Sequence, residues 1–238
     1  VDRLRYALRF KLTEIGEKER LDVIVTNPPF GGEEERGIQG NFPDDRQTAE
    51  TALLFLQVIM RRLHRAPTPA GRPARAAVVV PNGTLFGDGV CARIKEDLLT
   101  EFNLHTIVRL PNGVFAPYTG IPTNLLFFER GGPTREVWYY EHALPEGRKN
   151  YTKTAPLQFD EFKPMVDWWS RREENERAWK VPADEIRAAG FNLDRKNPRA
   201  KQDIAHLPPE ELVASILDKE RQIIEIMHKV QAMLREGV

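Results

Sequence analysis

The chain has 238 residues, 41% hydrophobic and 29% charged, with 35 basic and 35 acidic side chains and one cysteine. These values fit a soluble globular protein with one packed domain plus an appendage, or two small domains. They exclude a disordered chain, an internal disulfide framework and, because no apolar run approaches about 20 residues, a transmembrane helix. Zero net charge argues against a free-standing nucleic-acid binder but leaves room for an enzyme that shares its grip with another subunit. The single cysteine and the lack of a secretory pattern over Val1–Lys11 point to the reducing cytoplasm.

Leu21–Thr26 is a short apolar, β-branched run stopped by Asn27-Pro28-Pro29, which predicts a buried strand feeding a rigid loop. Residues 31–45 are Gly- and Glu-rich and aperiodic, so they read as a long loop, with Glu33–Glu35 solvated. From Thr48 to Arg65 the spacing of Leu53, Leu56, Ile59, Met60 and Leu63 predicts a helix with Thr48 as its N-cap. A Pro/Gly turn over Ala66–Pro73 leads to a second strand, Ala76–Val80. Then follow a helix at Cys91–Glu101 and strands at His105–Leu110, Thr123–Glu129 and Val137–Tyr140. The glycines of residues 83–89 form a weak pattern and read as a loop, not a phosphate cradle. Strands alternating with helices predict an open α/β sheet over residues 1–150, its strands covered on both faces.

Residues 151–238 differ in character and predict a mostly helical region. Helices are expected around Phe159–Phe162 and over Met165–Trp179, with a linker at Pro198–Pro209. In Glu210–Glu236 the residues Leu212, Ile216, Ile223, Met227, Val230 and Leu234 share one helix face, a narrow seam of coiled-coil type. Arg171-Arg172 and Arg195-Lys196 fit phosphate contacts or exposed helix faces equally. The five histidines have no ligand spacing with Cys or acidic pairs, so no metal site is expected.

The chemistry concentrates at Asn27-Pro28-Pro29-Phe30. Two prolines after a strand fix the backbone and remove two N–H donors, leaving a stiff, acceptor-rich loop. Open α/β sheets bind ligands at the carboxyl ends of their strands, where this loop falls. The Asn27 side-chain oxygen and the Pro28 carbonyl can each accept one N–H of an exocyclic amine, and Phe30 can stack on the ring that carries it. The plain alternative is that Asn27 caps a turn and the prolines only end a strand.

TNPPF after a strand resembles the catalytic motif of amino-methyltransferases that use S-adenosylmethionine. The stretches DVIVTNPPFGG, AAVVVPNGTLFG, LHTIVRLPNGVFAPYTGIPTNLLFFERG and GFNLDRKNP resemble the modification subunit of type I restriction-modification systems, an N6-adenine DNA methyltransferase family. The resemblance covers most of Leu21 to Pro198, and the Leu110–Glu129 block carries the type I assignment. It implies the C-terminal half of a Rossmann-like methyltransferase sheet and a target base flipped out of duplex DNA at a cost of roughly a few kcal/mol. The catalytic set would be Asn27, Pro28, Pro29 and Phe30. Phe115 would face Phe30 across the base, with Tyr118 as a second candidate. A methyl group leaving a sulfonium needs no strong nucleophile, so positioning and electrostatics would supply most of the acceleration.

Members of that family hold the cofactor on a Gly-rich loop before the TNPPF strand, and nothing before Leu21 matches it. Asn27 would touch only the edge of the cofactor site. The chain is therefore expected to be N-terminally incomplete, with an exposed edge at its first strand and weak S-adenosylmethionine binding of its own. The implied partners are duplex DNA, a specificity subunit docked on the C-terminal helix, a second modification subunit and a restriction subunit. Methylation of RNA or of a protein glutamine remains open, as does a non-catalytic DNA-clamp role.

Overall fold

The computed structural model of the protein describes residues 6–200 and 209–236. Six strands form one mixed sheet: β1 (Val23–Thr26), β2 (Arg75–Pro81), β3 (Asn103–Leu110), β4 (Thr123–Glu129), β5 (Glu136–Glu141) and β6 (Ala178–Pro182), in the order β1-β2-β4-β3-β5-β6. β1 runs parallel to β2, and β3 parallel to β5; β4 inserts antiparallel between β2 and β3. In that register Pro81 and Leu110 both lie beside Thr123. The ends of β1, β2 and β3 and the start of β4 therefore share one sheet edge, and the loops that follow β1, β2 and β3 converge there.

Three short helices and two longer ones accompany the sheet: α1 (Arg36–Gln39), α2 (Thr51–Arg62), α3 (Val90–Glu101), α4 (Lys163–Trp169) and α5 (Ala183–Ala188). α2 is buried from Thr51 through Met60 because it is covered on two sides. Leu53, Leu56 and Ile59 face the sheet core of Val78, Ile107 and Leu126. Leu54, Phe55 and Val58 pack under the N-terminal 3-10 turns, on Leu8, Ile15 and Phe42. A helix buried all round shows no single apolar stripe, which is why its sequence reads as nearly continuous apolar residues. α3 adds Ile94, Leu98 and Leu99 to the same sheet face.

The opposite face is only partly covered, contrary to expectation. α4 brings Met165 and Trp168 onto Val108, Leu110 and Tyr140. Toward β1 the cover stops: Val23 and Val25 are exposed, and an open cleft of about 520 Å³ runs past His105, Phe127 and Trp169. β1 is the edge strand, as expected.

Several expectations are corrected. The helix expected over Met165–Trp179 ends at Trp169, because residues 171–177 are a polar run without helical periodicity and Arg172 takes a left-handed φ of 41°. Its far end is instead β6, where Trp179 stacks on Tyr139 at 5.2 Å. β6 pairs with β5, so the compact unit runs on to Ala200 and the boundary expected at 150 falls within it. Thr48 does not cap α2; its Oγ1 accepts from the Glu50 N–H, and the helix begins at Thr51 with no side-chain cap. The 31–45 loop contains α1 and a 3-10 turn at Asp44–Arg46. Within it Glu34 is buried and accepts from Thr51 Oγ1 at 2.9 Å, so only Glu33 and Glu35 are solvated. Neither basic pair lies on a helix: Arg172 stacks on Trp169, and Arg195 donates to the Glu185 carbonyl.

A second unit is the single helix α6 (Pro209–Glu236). Ile216, Ile223, Met227 and Val230 are exposed as the seam requires, and Leu217 and Ile224 add a second exposed stripe beside it. The apolar band is thus wider than expected. The Leu212 and Leu234 side chains, and most of the expected 198–209 linker, lie outside the described residues. No described helix is long and apolar enough to cross a membrane.

Candidate active site

The loop after β1 does what two prolines dictate. Pro28 is buried and Pro29 half-buried, which anchors the turn, while Asn27 is exposed at its rim and Phe30 is half-buried. Asn27 lines a cleft of about 580 Å³ together with Pro28, Phe30, Phe115, Tyr118 and Ile121. The structure brings all six expected site residues to this one cleft: Asn27, Pro28, Pro29, Phe30, Phe115 and Tyr118.

The two phenylalanines meet differently from a pair of parallel plates. Their centroids are 4.7 Å apart at an interplanar angle of 69°, an edge-to-face contact. A ring stacked between them needs two contacts of roughly 3.5 Å, or about 7 Å between the outer rings. The slot is closed, and one ring must move to admit a planar ligand. Phe115 is half-buried and packed against the core of Val108, Leu110 and Tyr140, whereas Phe30 is flanked by open clefts. Phe30 is the ring with room to move.

Tyr118 is 93% exposed, so it stands at the cleft mouth rather than in a stack. Its backbone N–H donates to the Phe115 carbonyl at 2.9 Å, and that of Thr119 donates to the same oxygen, closing the loop into a turn.

What fixes the Phe115 loop lies far away in sequence. Gly113 has φ +80°, and a Cβ there would fall 2.1 Å from the Tyr151 carbonyl oxygen. Only glycine allows this approach. The Tyr151 N–H in turn donates to the Asn112 carbonyl. Tyr151 is fully buried, its hydroxyl donating to Glu161 Oε2 at 2.6 Å and lying 3.2 Å from His142 Nε2. Hydrogen bonding to Tyr151 holds the Glu161 carboxyl below its ordinary range, and burial holds the His142 imidazole below its own. No sequence pattern marks Tyr151, and the glycine before Val114-Phe115 is the one local signal of this contact.

Behind Phe30 lies a second cleft, of about 470 Å³, formed by the turn after β2. Asn82 Oδ1 accepts from the buried Asn124 Nδ2 at 3.1 Å, tying that turn to β4. Lys95, buried with no carboxylate contact among the described residues, donates to the Leu85 and Gly87 carbonyls, and the Cys91 thiol donates to that of Phe86. Burial lowers the Lys95 ammonium pKa and raises that of the Cys91 thiol. The Gly83–Gly89 segment, read from sequence as a loop, begins within a 3-10 turn at Asn82–Leu85 and is clamped by these bonds.

The chain as a whole is similar to known proteins. Residues 5–206 match the family described as N-6 DNA Methylase. The chain belongs to that family. Among its relatives, the type I restriction enzyme EcoEI methylase subunit of Escherichia coli is 54% identical over 223 residues, covering 91% of this chain and 44% of its own. The EcoKI methylase subunit of Escherichia coli K12 is 36% identical over 152 residues. A modification subunit of a restriction enzyme assigned to type I in Vibrio vulnificus YJ016 superposes with a TM-score of 0.78 at 61% identity, over 84% of this chain and 43% of that one. A structure from work on assembly of a type I restriction-modification system gives 0.75 at 43% identity, over 97% and 48%. The chain thus spans about half the length of these relatives.

Proposed function

We propose that this chain supplies the base-holding part of a methyltransferase that modifies the N6 amine of adenine in duplex DNA, within the modification subunit of a type I restriction-modification system. The observation that carries this reading is the exposed Asn27 side chain on a proline-anchored turn, in one cleft with Phe30 and Phe115. Its oxygen and the Pro28 carbonyl accept the two amine hydrogens and aim the nitrogen lone pair at the methyl donor. Phe30 moves off Phe115 and stacks on the base, offsetting part of the cost of extruding it. Tyr118 contacts the sugar-phosphate side at the mouth.

The family implies S-adenosylmethionine as cofactor, whose positively charged sulfur activates the methyl group. The described residues do not build its cradle: 3-10 turns precede β1, with no strand, Gly-rich loop and helix among them. This chain's part is to bind and orient the amine, and Asn27 offers the donor one edge.

The assembly reading rests on α6. Its wide exposed band suits pairing with long helices of a specificity subunit, in a complex with a second modification subunit and a restriction subunit. Removal of residues 209–238 is expected to abolish co-purification with the specificity subunit and to leave the α/β unit folded. Retained co-purification contradicts the docking.

The test of function is methyl transfer by the complete enzyme to duplex DNA, RNA and protein glutamine. Label recovered as N6-methyladenine in DNA alone is expected; label in glutamine or RNA, or none at all, overturns the reading.

A further inference from the structure

Net charge is zero over the whole chain, but the charge is not evenly spread. Between Glu146 and Asp160 the sequence carries Arg148, Lys149 and Lys153 and no acidic residue. The structure brings this run against the loop that carries Phe115. Lys149, Asn150 and Lys153 line an open cleft of about 600 Å³ together with Asn112, Pro117 and Thr119. No carboxylate lines it. Lys149 and Lys153 are exposed, and neither has an ion pair or a hydrogen bond among the described residues.

The two segments are fixed to each other. The close approach of Gly113 to the Tyr151 carbonyl, and the Tyr151 N–H bond to the Asn112 carbonyl, join them in the middle of the basic run. Thr152 and Ala155 exchange both backbone hydrogen bonds at 3.2 Å, which holds Lys153 in a closed turn. Arg148 lies over the Tyr151 ring at 5.8 Å, so Lys149 and Lys153 are the unengaged cations of the run. Thr119 lines both this cleft and the Asn27 cleft, and the Phe115 turn borders the two. The lysines therefore stand beside the mouth where a base enters, at a spacing set by backbone contacts.

Two free ammonium groups in a cleft without carboxylates select an anion, and a lysine binds phosphate as a point charge. The neighbouring cleft says which anion. A base extruded beside Asn27 stays bonded to its sugar, so its own phosphates pass the cleft mouth. Contacts to phosphate and sugar make up roughly half to two-thirds of protein–DNA hydrogen bonds, and they fix register, not sequence. We propose that Lys149 and Lys153 hold a backbone phosphate of the extruded nucleotide, which makes this cleft the backbone half of the target site. This rests on the DNA-methyltransferase reading. It also gives the Gly113–Tyr151 tie a second task, setting the distance between the Phe115 ring and that phosphate. The plain alternative is a pair of solvated loop lysines that add only general attraction.

The test is duplex DNA binding by the complete enzyme carrying Lys149→Gln or Lys153→Gln, each of which removes a charge and keeps an exposed polar chain. Each variant should bind roughly three- to tenfold more weakly at fixed salt. Each should also lower the slope of log affinity against log salt by about one. Lys149→Arg and Lys153→Arg should bind as the wild type does. Duplexes with a single neutral methylphosphonate, placed in turn at each linkage around the target adenine, identify the phosphate. At one linkage the wild type should lose a similar factor and each glutamine variant should lose little more, a non-additive pair. Solvated lysines predict losses that add fully at every linkage. That result, or a wild-type affinity and salt slope in either glutamine variant, overturns the proposal. If this occurs while the wild type makes N6-methyladenine in DNA, only the phosphate contact fails; if the wild type makes none, the underlying reading falls first.

Discussion

Two loops meet at the cleft, and they are held by opposite means. Residues 27–31 are stiffened locally: Pro28 is buried, Pro29 half-buried, and the shape follows from a strand stopped by two prolines. The 111–122 loop owes its position to a segment distant in sequence, through the contact between Gly113 and Tyr151. The first loop supplies polar acceptors on a fixed frame; the second supplies an aromatic ring whose place depends on a network around Tyr151. A site can therefore keep its fold and lose its chemistry through the first loop, or keep its chemical groups and lose their alignment through the second.

The comparison can be broken hardest at Asn27. Asn27→Ala is expected to lower methyl transfer by roughly a hundredfold or more, the scale of a lost preorganised polar contact, with an unchanged melting temperature because Asn27 is exposed. Gly113→Ala should act the other way. It places a Cβ against the Tyr151 backbone at a left-handed φ, so unfolding by urea should show a loss of roughly 2–4 kcal/mol, with activity falling as the loop shifts. Phe115→Ala removes one wall of the slot. A loss of roughly 1–3 kcal/mol in base stacking should appear as weaker binding of DNA, with little change in the Asn27 loop.

The smallest effect is in pH. His142 is held neutral by burial, so the unfolded chain takes up a proton first as pH falls below the ordinary value of 6.5. Glu161 has a depressed pKa through Tyr151, so its contribution is present above the ordinary 4.5 and lost as pH falls through its lowered value. Both signs agree: the Tyr151 anchor weakens on acidification, beginning below about 6.5. Thermal unfolding from pH 7.5 to 3 should decline more steeply in the wild type than in Tyr151→Phe below about pH 4.5, because the variant loses the bond that depresses Glu161 while His142 stays buried. Equal slopes would remove the network from the account.

How much the sequence discloses follows the same division. The strand, the two prolines and the aromatic behind them are contiguous, so Asn27–Phe30 and the first five strands can be read along the chain. β6 hides in a charged, tryptophan-bearing stretch where helix and strand spacing look alike, and it becomes a strand only by pairing with β5 and stacking Trp179 on Tyr139. Phe115 is named only through the family resemblance of its loop, and its edge-to-face contact with Phe30 is not legible at all, since that depends on packing from Val108 and Tyr140. The burial of Glu34 is equally non-local, set by Thr51. Local stiffness is written in adjacent residues; alignment between loops is not.

The central claim is tested most directly by a structure of the complete enzyme bound to a duplex containing its methylation site. The account predicts an extruded adenine with its N6 about 3 Å from both Asn27 Oδ1 and the Pro28 carbonyl oxygen, and with Phe30 drawn away from Phe115 to lie along the ring. An adenine bound elsewhere, with the Asn27 amide making no contact to it and the two phenylalanines still edge to face, would contradict it.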